Sequence, residues 1–324
     1  MDIGKLPNDV LKEKILRKIR KINDEVVLTP SIGEDCAAVK FGDEFCVITS
    51  DPVTAATKDI GKIGVIINSN DIASSGVRPL GITVTLLAPP YAKIEDIEAI
   101  MEDVIKTCEE FNIDILGGHT EITDAVNRYV LSITAIGKGK SIVKTKGAKV
   151  GDDVVMTGFA GLEGTYIIVN EYYDKLLSII DKDILDSVKK LQISISVLKA
   201  GLIAGEFKVN SMHDATEGGI LGALWEVANA SDRGIYIYKD KIPVLNETKI
   251  ICKSLNIDPY KLISSGAMII TTEKGEELVK KLNEYGIHAA IIGKITEKGC
   301  IINDNGIEYE IEKPLSDEIY KVKF

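Results

Sequence analysis

Apolar positions recur along this chain with two periods, and their alternation marks out short helices and short strands. Spacing of three and four residues predicts a helix over 10–22, carried by Val10, Ile15, Ile19 and Ile22 among basic residues. It predicts a buried helix face from residue 60 onward (Ile60, Ile63, Gly64, Ile67) and a helix over 94–111 (Ile97, Met101, Val104, Ile105, Cys108). Helical spacing returns over 183–191, 193–201, 220–230, with Trp225 in the core of the last, and 276–285. Shorter β-rich runs predict strands over 36–41, 45–49, 81–87, 113–116, 129–137, 153–157, 268–272 and 289–292. Residues 300–303 and 307–311 read as a hairpin around Asp304-Asn305-Gly306, because a two-residue turn of this kind needs positive φ. Helices and strands interleave throughout, which predicts a mixed α+β protein. The turn-rich join Gly147-Ala148-Lys149-Val150-Gly151-Asp152 predicts two domains, 1–148 and 149–324.

Composition narrows the classes. A content of 45% hydrophobic and 27% charged residues is that of a globular protein. The net charge of -10 argues against a general nucleic-acid binder, which carries a basic face. No window approaches the roughly 18 apolar residues of a membrane span, and residues 1–8 lack a signal-peptide core. Five scattered cysteines, odd in number and never spaced C-x-x-C, fit reduced thiols and predict a cytoplasmic protein.

The candidate chemistry centres on Asn68-Ser69-Asn70-Asp71-Ile72-Ala73-Ser74-Ser75-Gly76-Val77-Arg78-Pro79. Asn68 and Asp71 are three apart and continue the stripe of Gly64 and Ile67, and Gly76 and Pro79 end the helix. A carboxylate on an apolar stripe is costly to bury unless it is paired or binds a metal. Two further acidic points flank strands: Glu34 and Asp35 before the strand at 36–41, and Asp51 at the end of the strand at 45–49. Each acid taken singly reads first as a turn residue or a cap; together they form a hard-oxygen set suited to Mg²⁺. Gly117-Gly118-His119-Thr120 follows a strand, either as an anion nest or as an ordinary tight turn. Gly158-Phe159-Ala160-Gly161-Leu162-Glu163-Gly164-Thr165 leads into a helix and allows a phosphate cradle, though it matches neither the P-loop nor the dinucleotide fingerprint. In His213-Asp214-Ala215-Thr216-Glu217-Gly218-Gly219, Asp214 is either the cap of the next helix or an acid aimed into a site. The tail, 314–324, has no site character.

In this order the motifs resemble the AIR synthase (PurM-like) superfamily, over nearly the whole chain. Gly33-Glu34-Asp35-Cys36-Ala37-Ala38-Val39 resembles the family's G-D-D-x-A-x-V loop, with Glu34 for the first Asp. Thr49-Ser50-Asp51 resembles its T-x-D strand end, residues 68–79 its N-x-x-D-I-A-x-x-G-A-x-P helix, and Gly117-Gly118-His119-Thr120 its G-G-x-T loop. The segment 213–219 is most similar to H-D-x-T-x-G-G of the HypE-type hydrogenase maturation proteins. The resemblance implies a two-domain PurM-like fold whose first domains pair into a dimeric barrel. It implies ATP and Mg²⁺ as cofactors, with Glu34, Asp35, Asp51 and Asp71 as metal ligands. Asn68, Gly117, Gly118, His119 and Thr120 are then in nucleotide binding, and Asp71 and Asp214 in catalysis. It further implies a small-molecule substrate, a homodimer and a maturation-protein partner. Acids with a metal ion suffice for phosphoryl transfer, which is mainly positioning and charge neutralisation. HypE-type chemistry uses a cysteine at the extreme C-terminus, whereas the last cysteine here is Cys300, so a tail carrier is not expected. The thiamine-monophosphate kinases, the alternative, have Asp where this chain has His119, and only faintly share Ser265-Gly266-Ala267-Met268. A non-catalytic nucleotide-binding scaffold is the third reading.

Overall fold

The computed structural model describes residues 6–54, 59–190, 195–314 and 316–323. Along them run α1 (Asn8–Lys14), β1 (Val26–Leu28), β2 (Ala37–Phe41), β3 (Glu44–Val53), α2 (Ile60–Ser74), β4 (Arg78–Ala88), α3 (Ile94–Phe111), β5 (Asp114–Ile122) and β6 (Val130–Gly139). The chain continues with β7 (Asp153–Thr157), α4 (Leu162–Leu176), α5 (Lys182–Lys190), α6 (Leu198–Phe207), β8 (Ser211–Ala215), α7 (Gly219–Ser231), β9 (Gly234–Tyr238) and α8 (Asn246–Leu255). It closes with β10 (Ala267–Thr272), α9 (Gly275–Glu284), β11 (Ala289–Thr296), β12 (Cys300–Asp304) and β13 (Ile307–Glu310). This is a mixed α/β protein with two sheets. It divides into two compact units, one made of Lys21–Pro30 and Asp35–Ile142, the other of the remainder. Among the described residues no helix is long and apolar enough to cross a membrane.

The first unit is built on a six-stranded sheet ordered β1-β2-β3-β6-β4-β5. All pairs are antiparallel except β4 with β5, which α3 joins as a parallel crossover. Alternate residues point inward: Ile82, Val84 and Leu86 on β4, and Leu131, Ile133 and Ala135 on β6, are buried under α2 and α3. Each such aliphatic side chain contributes about 1.5–3 kcal/mol on burial. The other face of these strands stays half-buried or exposed, the alternation of a sheet covered on one side. On α3 the inward side holds Val104 and Cys108, whereas Ile105, one position round the helix, is exposed. Helix α2 is buried almost all round, polar residues included, and stops at Gly76 with φ of 71°.

The second unit is built on a seven-stranded sheet ordered β13-β12-β9-β11-β7-β10-β8, antiparallel but for β12 beside β9. Its core strands alternate between two hydrophobic clusters. Val154 and Met156 of β7 and Ile269 of β10 face one; Val155, Met268 and Ile270 face the other. Both faces are therefore covered, α7 lying against β8, β9 and β10, and α9 against β7 and β11.

Several sequence expectations are corrected here. The helix expected over 10–22 is only α1 and one 3₁₀ turn, Leu16–Lys18, and neither has a buried residue. Ile15, Ile19 and Ile22 are exposed, so the stripe has no tertiary packing to hold a helix of that length. Strand β5 runs on through Gly117-Gly118-His119-Thr120, which is neither a turn nor a nest. The segment at 211–215 is a buried strand, and β9 fills a stretch with no predicted element. The start of the helix expected over 193–201, the end of that over 183–191, residues 1–5, and Leu315 and Phe324 of the tail lie outside the described residues.

Candidate functional site

The acidic motifs of the six-stranded unit meet around the end of β3. Asp71, on the buried helix α2, is 6% exposed, and its Oδ2 accepts the hydroxyl of Thr49 at 2.7 Å. The same hydroxyl lies 3.1 Å from the main-chain oxygen of Asp35. Thr49 thus ties the loop before β2 to α2. Two residues along β3, and so on the same side, comes Asp51. Its main chain is gripped by Asn68: Oδ1 accepts Asp51 N–H at 2.9 Å, and Nδ2 donates to Asp51 O at 3.4 Å and to Gly64 O at 2.9 Å. The carboxamide of Asn68, fully buried, is spent on backbone, so Asn68 fixes Asp51 from behind. Asp35 and Asp51 are exposed, while Asp71 is buried and its carboxylate is set by the Thr49 hydroxyl. Aspartate oxygens of this kind fit Mg²⁺, and a buried carboxylate is stabilised by a bound cation.

Four of the other predicted residues lie on a different strand of the same sheet. Gly117, Gly118, His119 and Thr120 are exposed on β5, the edge strand, with β6 and β4 between it and β3. At the usual strand spacing that is roughly 14 Å across the sheet. Gly118 packs against β4 so closely that a Cβ there would meet Val84 O at 2.0 Å. His119 pairs at 3.1 Å with Glu121. Glu34 belongs to the seven-stranded unit, where its carboxylate accepts Thr145 N–H at 3.5 Å.

In that unit, His213 and Asp214 sit on β8, both buried. Asp214 is therefore not the cap of α7, whose N-cap is Gly218. The glycine-rich loop before α4 is not an open phosphate cradle. Its amides are engaged: Gly158 with His288 O, Ala160 with Pro243 O, Gly161 with the Ser264 hydroxyl and Gly164 with Ile263 O. Glu163 accepts Ser265 N–H at 3.1 Å, and burial pushes its carboxyl above the usual range. In the tail, Asp317 is fully buried and accepts N–H groups of Gly218, Ile263 and Ile319; burial raises its pKa as well. Sequence reasoning named Thr49 and passed over Asp317 and Glu226. Thr49 was legible through the T-x-D pattern, whereas Asp317 and Glu226, which contacts His213, carry no local signal.

A mixed α/β fold of two units, each built on one sheet, is the fold of the PurM-like class. The model of the AIR synthase related protein N-terminal domain matches residues 33–138, and that of its C-terminal domain residues 149–303. A Methanocaldococcus jannaschii protein named for hydrogenase expression and formation is 30% identical over 98% of this chain and 97% of its own. The chain belongs to the AIR synthase related family. Carbamoyl dehydratase HypE of Rhodobacter capsulatus is 24% identical, covering 90% of this chain and 86% of its own. Thiamine-monophosphate kinase of Pyrococcus horikoshii is 27% identical, covering 82% and 84%. Among solved structures, a chain of the HypE–HypF complex superimposes with a TM-score of 0.76 at 23% identity, over 94% of this chain and 99% of that one. HypE in complex with ATP gives 0.70 at 18% identity, over 99% and 98%. At these identities the structural likeness establishes the fold.

Proposed function

We propose that this protein is a Mg-ATP-dependent enzyme that activates, by phosphorylation, a carbonyl or amide oxygen of a small molecule. The observation that carries the reading is the Thr49 hydroxyl, bonded to the Asp71 carboxylate and close to the Asp35 main-chain oxygen, on the strand whose Asp51 is held by Asn68, in a chain of this family. Asp35, Asp51 and Asp71 would hold the metal, which supplies charge neutralisation at the phosphates. Thr49 orients Asp71 by donating to one carboxylate oxygen, which leaves the other oxygen directed by the same bond. Asn68 keeps the β3 backbone, and with it Asp51, in register. Glu34, Asp214 and the 117–120 segment are proposed as further contacts to metal, substrate or nucleotide.

HypE relatives named carbamoyl dehydratases support an oxygen acceptor, since dehydrating a carbamoyl group removes its oxygen and needs that oxygen turned into a leaving group. The relatives named thiamine-monophosphate kinases support a second reading, a phosphate acceptor on a phosphorylated substrate. A structural neighbour in the HypE–HypF complex supports a maturation-protein partner. The half-open face of the six-stranded sheet and the exposed edge strand β5 fit pairing with a second copy. The experiment is ADP release from Mg-ATP in the presence of a peptide bearing an S-carbamoyl cysteine or of thiamine monophosphate. Turnover with the first supports the leading reading, turnover with the second the alternative. Mg-ATP binding with neither turnover would leave the scaffold reading.

A further inference from the structure

His213 and Glu226 form a buried pair in the seven-stranded unit that the function above does not use. His213 Nε2 lies 2.9 Å from Glu226 Oε2, joining the middle of β8 to α7, with side chains 5% and 23% exposed. A carboxylate only accepts, so the ring presents its proton at Nε2, and in a neutral imidazole Nδ1 then carries the lone pair. The next residue is Asp214, 2% exposed, and a His213 ring nitrogen and an Asp214 carboxylate oxygen come within 4.8 Å of one another. Glu226 is itself confined. Gly33, held at φ of 75° in the loop that carries Glu34, packs on it so closely that a Cβ there would stand 3.2 Å from Glu226 Cβ. Metal-binding histidines commonly donate their second N–H to a carboxylate in this way, which fixes the tautomer and strengthens the donor.

We propose that His213 is a nitrogen ligand, through Nδ1, for a divalent cation that it shares with the Asp214 carboxylate, and that Glu226 is the positioning residue that sets its tautomer. A nitrogen-plus-carboxylate pair selects cations of the Mn²⁺, Co²⁺ and Zn²⁺ kind over Mg²⁺, which takes oxygen. The proposal rests on the functional reading only in placing Asp214 at the site.

The test uses the full-length chain stripped of metal by chelation. The chain has 3 histidines, so ¹⁵N-histidine NMR resolves His213 from His119 and His288. In the metal-free protein His213 is expected as the Nε2–H tautomer. Titration with Co²⁺, followed by visible absorption, is expected to show bands of mixed nitrogen and oxygen coordination. Both the bands and the shift of the His213 ¹⁵N signals disappear in His213→Ala. Glu226→Ala is expected to weaken Co²⁺ binding about 10- to 100-fold, and Glu226→Gln, which keeps an acceptor oxygen, by less. An Nδ1–H tautomer in the metal-free wild type, or Co²⁺ affinity unchanged in His213→Ala, would overturn the proposal, the first of these without any variant having to fold. Mg-ATP binding that persists while Co²⁺ fails at His213 refutes this inference alone. Co²⁺ bound at His213 without any Mg-ATP binding upholds it and refutes the functional reading.

Discussion

Asn68→Ala separates a residue that positions the site from one that touches a ligand. Strand β3 pairs with β6 along its full length, but its pairing with β2 ends at Ile48 opposite Ala37. Beyond that point the free edge of β3 is completed by the Asn68 carboxamide, which takes the N–H of Asp51 and returns a weaker bond to its oxygen. Alanine removes these and the 2.9 Å bond to Gly64 O. Two good hydrogen bonds, each about 1–2 kcal/mol when the partner is left without a substitute, put the loss at about 2–4 kcal/mol. The cost falls on β3 and α2, so the assay is amide hydrogen exchange of those elements. Exchange is expected to accelerate roughly 30- to 700-fold, the same free energy at about 1.4 kcal/mol per decade. Asn68→Asp keeps an acceptor for Asp51 N–H but loses both donations and buries a charge, so it is expected to be no better tolerated. Exchange within threefold of wild type in Asn68→Ala, with ATP affinity lost, would refute the positioning argument and make Asn68 a direct ligand contact.

Asp71→Asn is expected to keep the fold, because the amide oxygen still accepts the Thr49 hydroxyl, and to abolish tight Mg-ATP binding by calorimetry; unchanged affinity contradicts the metal role. Burial pushes the Cys108 thiol up to about 11, helped by Asp114, and the Cys252 thiol up to about 12. At pH 8 their reactive thiolate is on the order of one part in a thousand or less, so iodoacetamide is expected to modify neither until urea unfolds the chain, as mass spectrometry would show. Burial raises the Asp317 carboxyl, so the folded chain holds that proton to higher pH than the unfolded one. Its contribution to stability is full below the ordinary carboxylate range and declines as pH rises through the raised value. The stability of wild type relative to Asp317→Asn, from urea unfolding, is therefore expected to fall as pH rises above the ordinary carboxylate range; a rise would contradict it.

Legibility in the sequence followed how local each determinant is. The stripe Ile97, Met101, Val104 and Cys108 set α3 by itself, and its observed span is the expected one. The hairpin β12–β13 was readable because Asn305 and Gly306 tolerate the positive φ, 53° and 91°, that the turn imposes. The acidic positions of β3 and α2 stood out because polar groups interrupted an apolar pattern. What pairs with what was not legible. Nothing near Gly117 announces that Gly118 lies against Val84 in a parallel strand, and two glycines read locally as a turn. Strand β8 hid because its buried positions include His213 and Asp214, ionisable residues that break the hydrophobic run. The bonds of Thr49 to Asp71 and of His213 to Glu226 span 22 and 13 residues, and only the fold brings such partners together.

The most direct test of the central claim is a calorimetric titration of the full-length protein with ATP, with and without Mg²⁺. Magnesium-dependent binding that disappears in Asp71→Asn is predicted. No binding in either condition, or binding indifferent to magnesium and to Asp71, would contradict an acidic metal–nucleotide site at the end of β3.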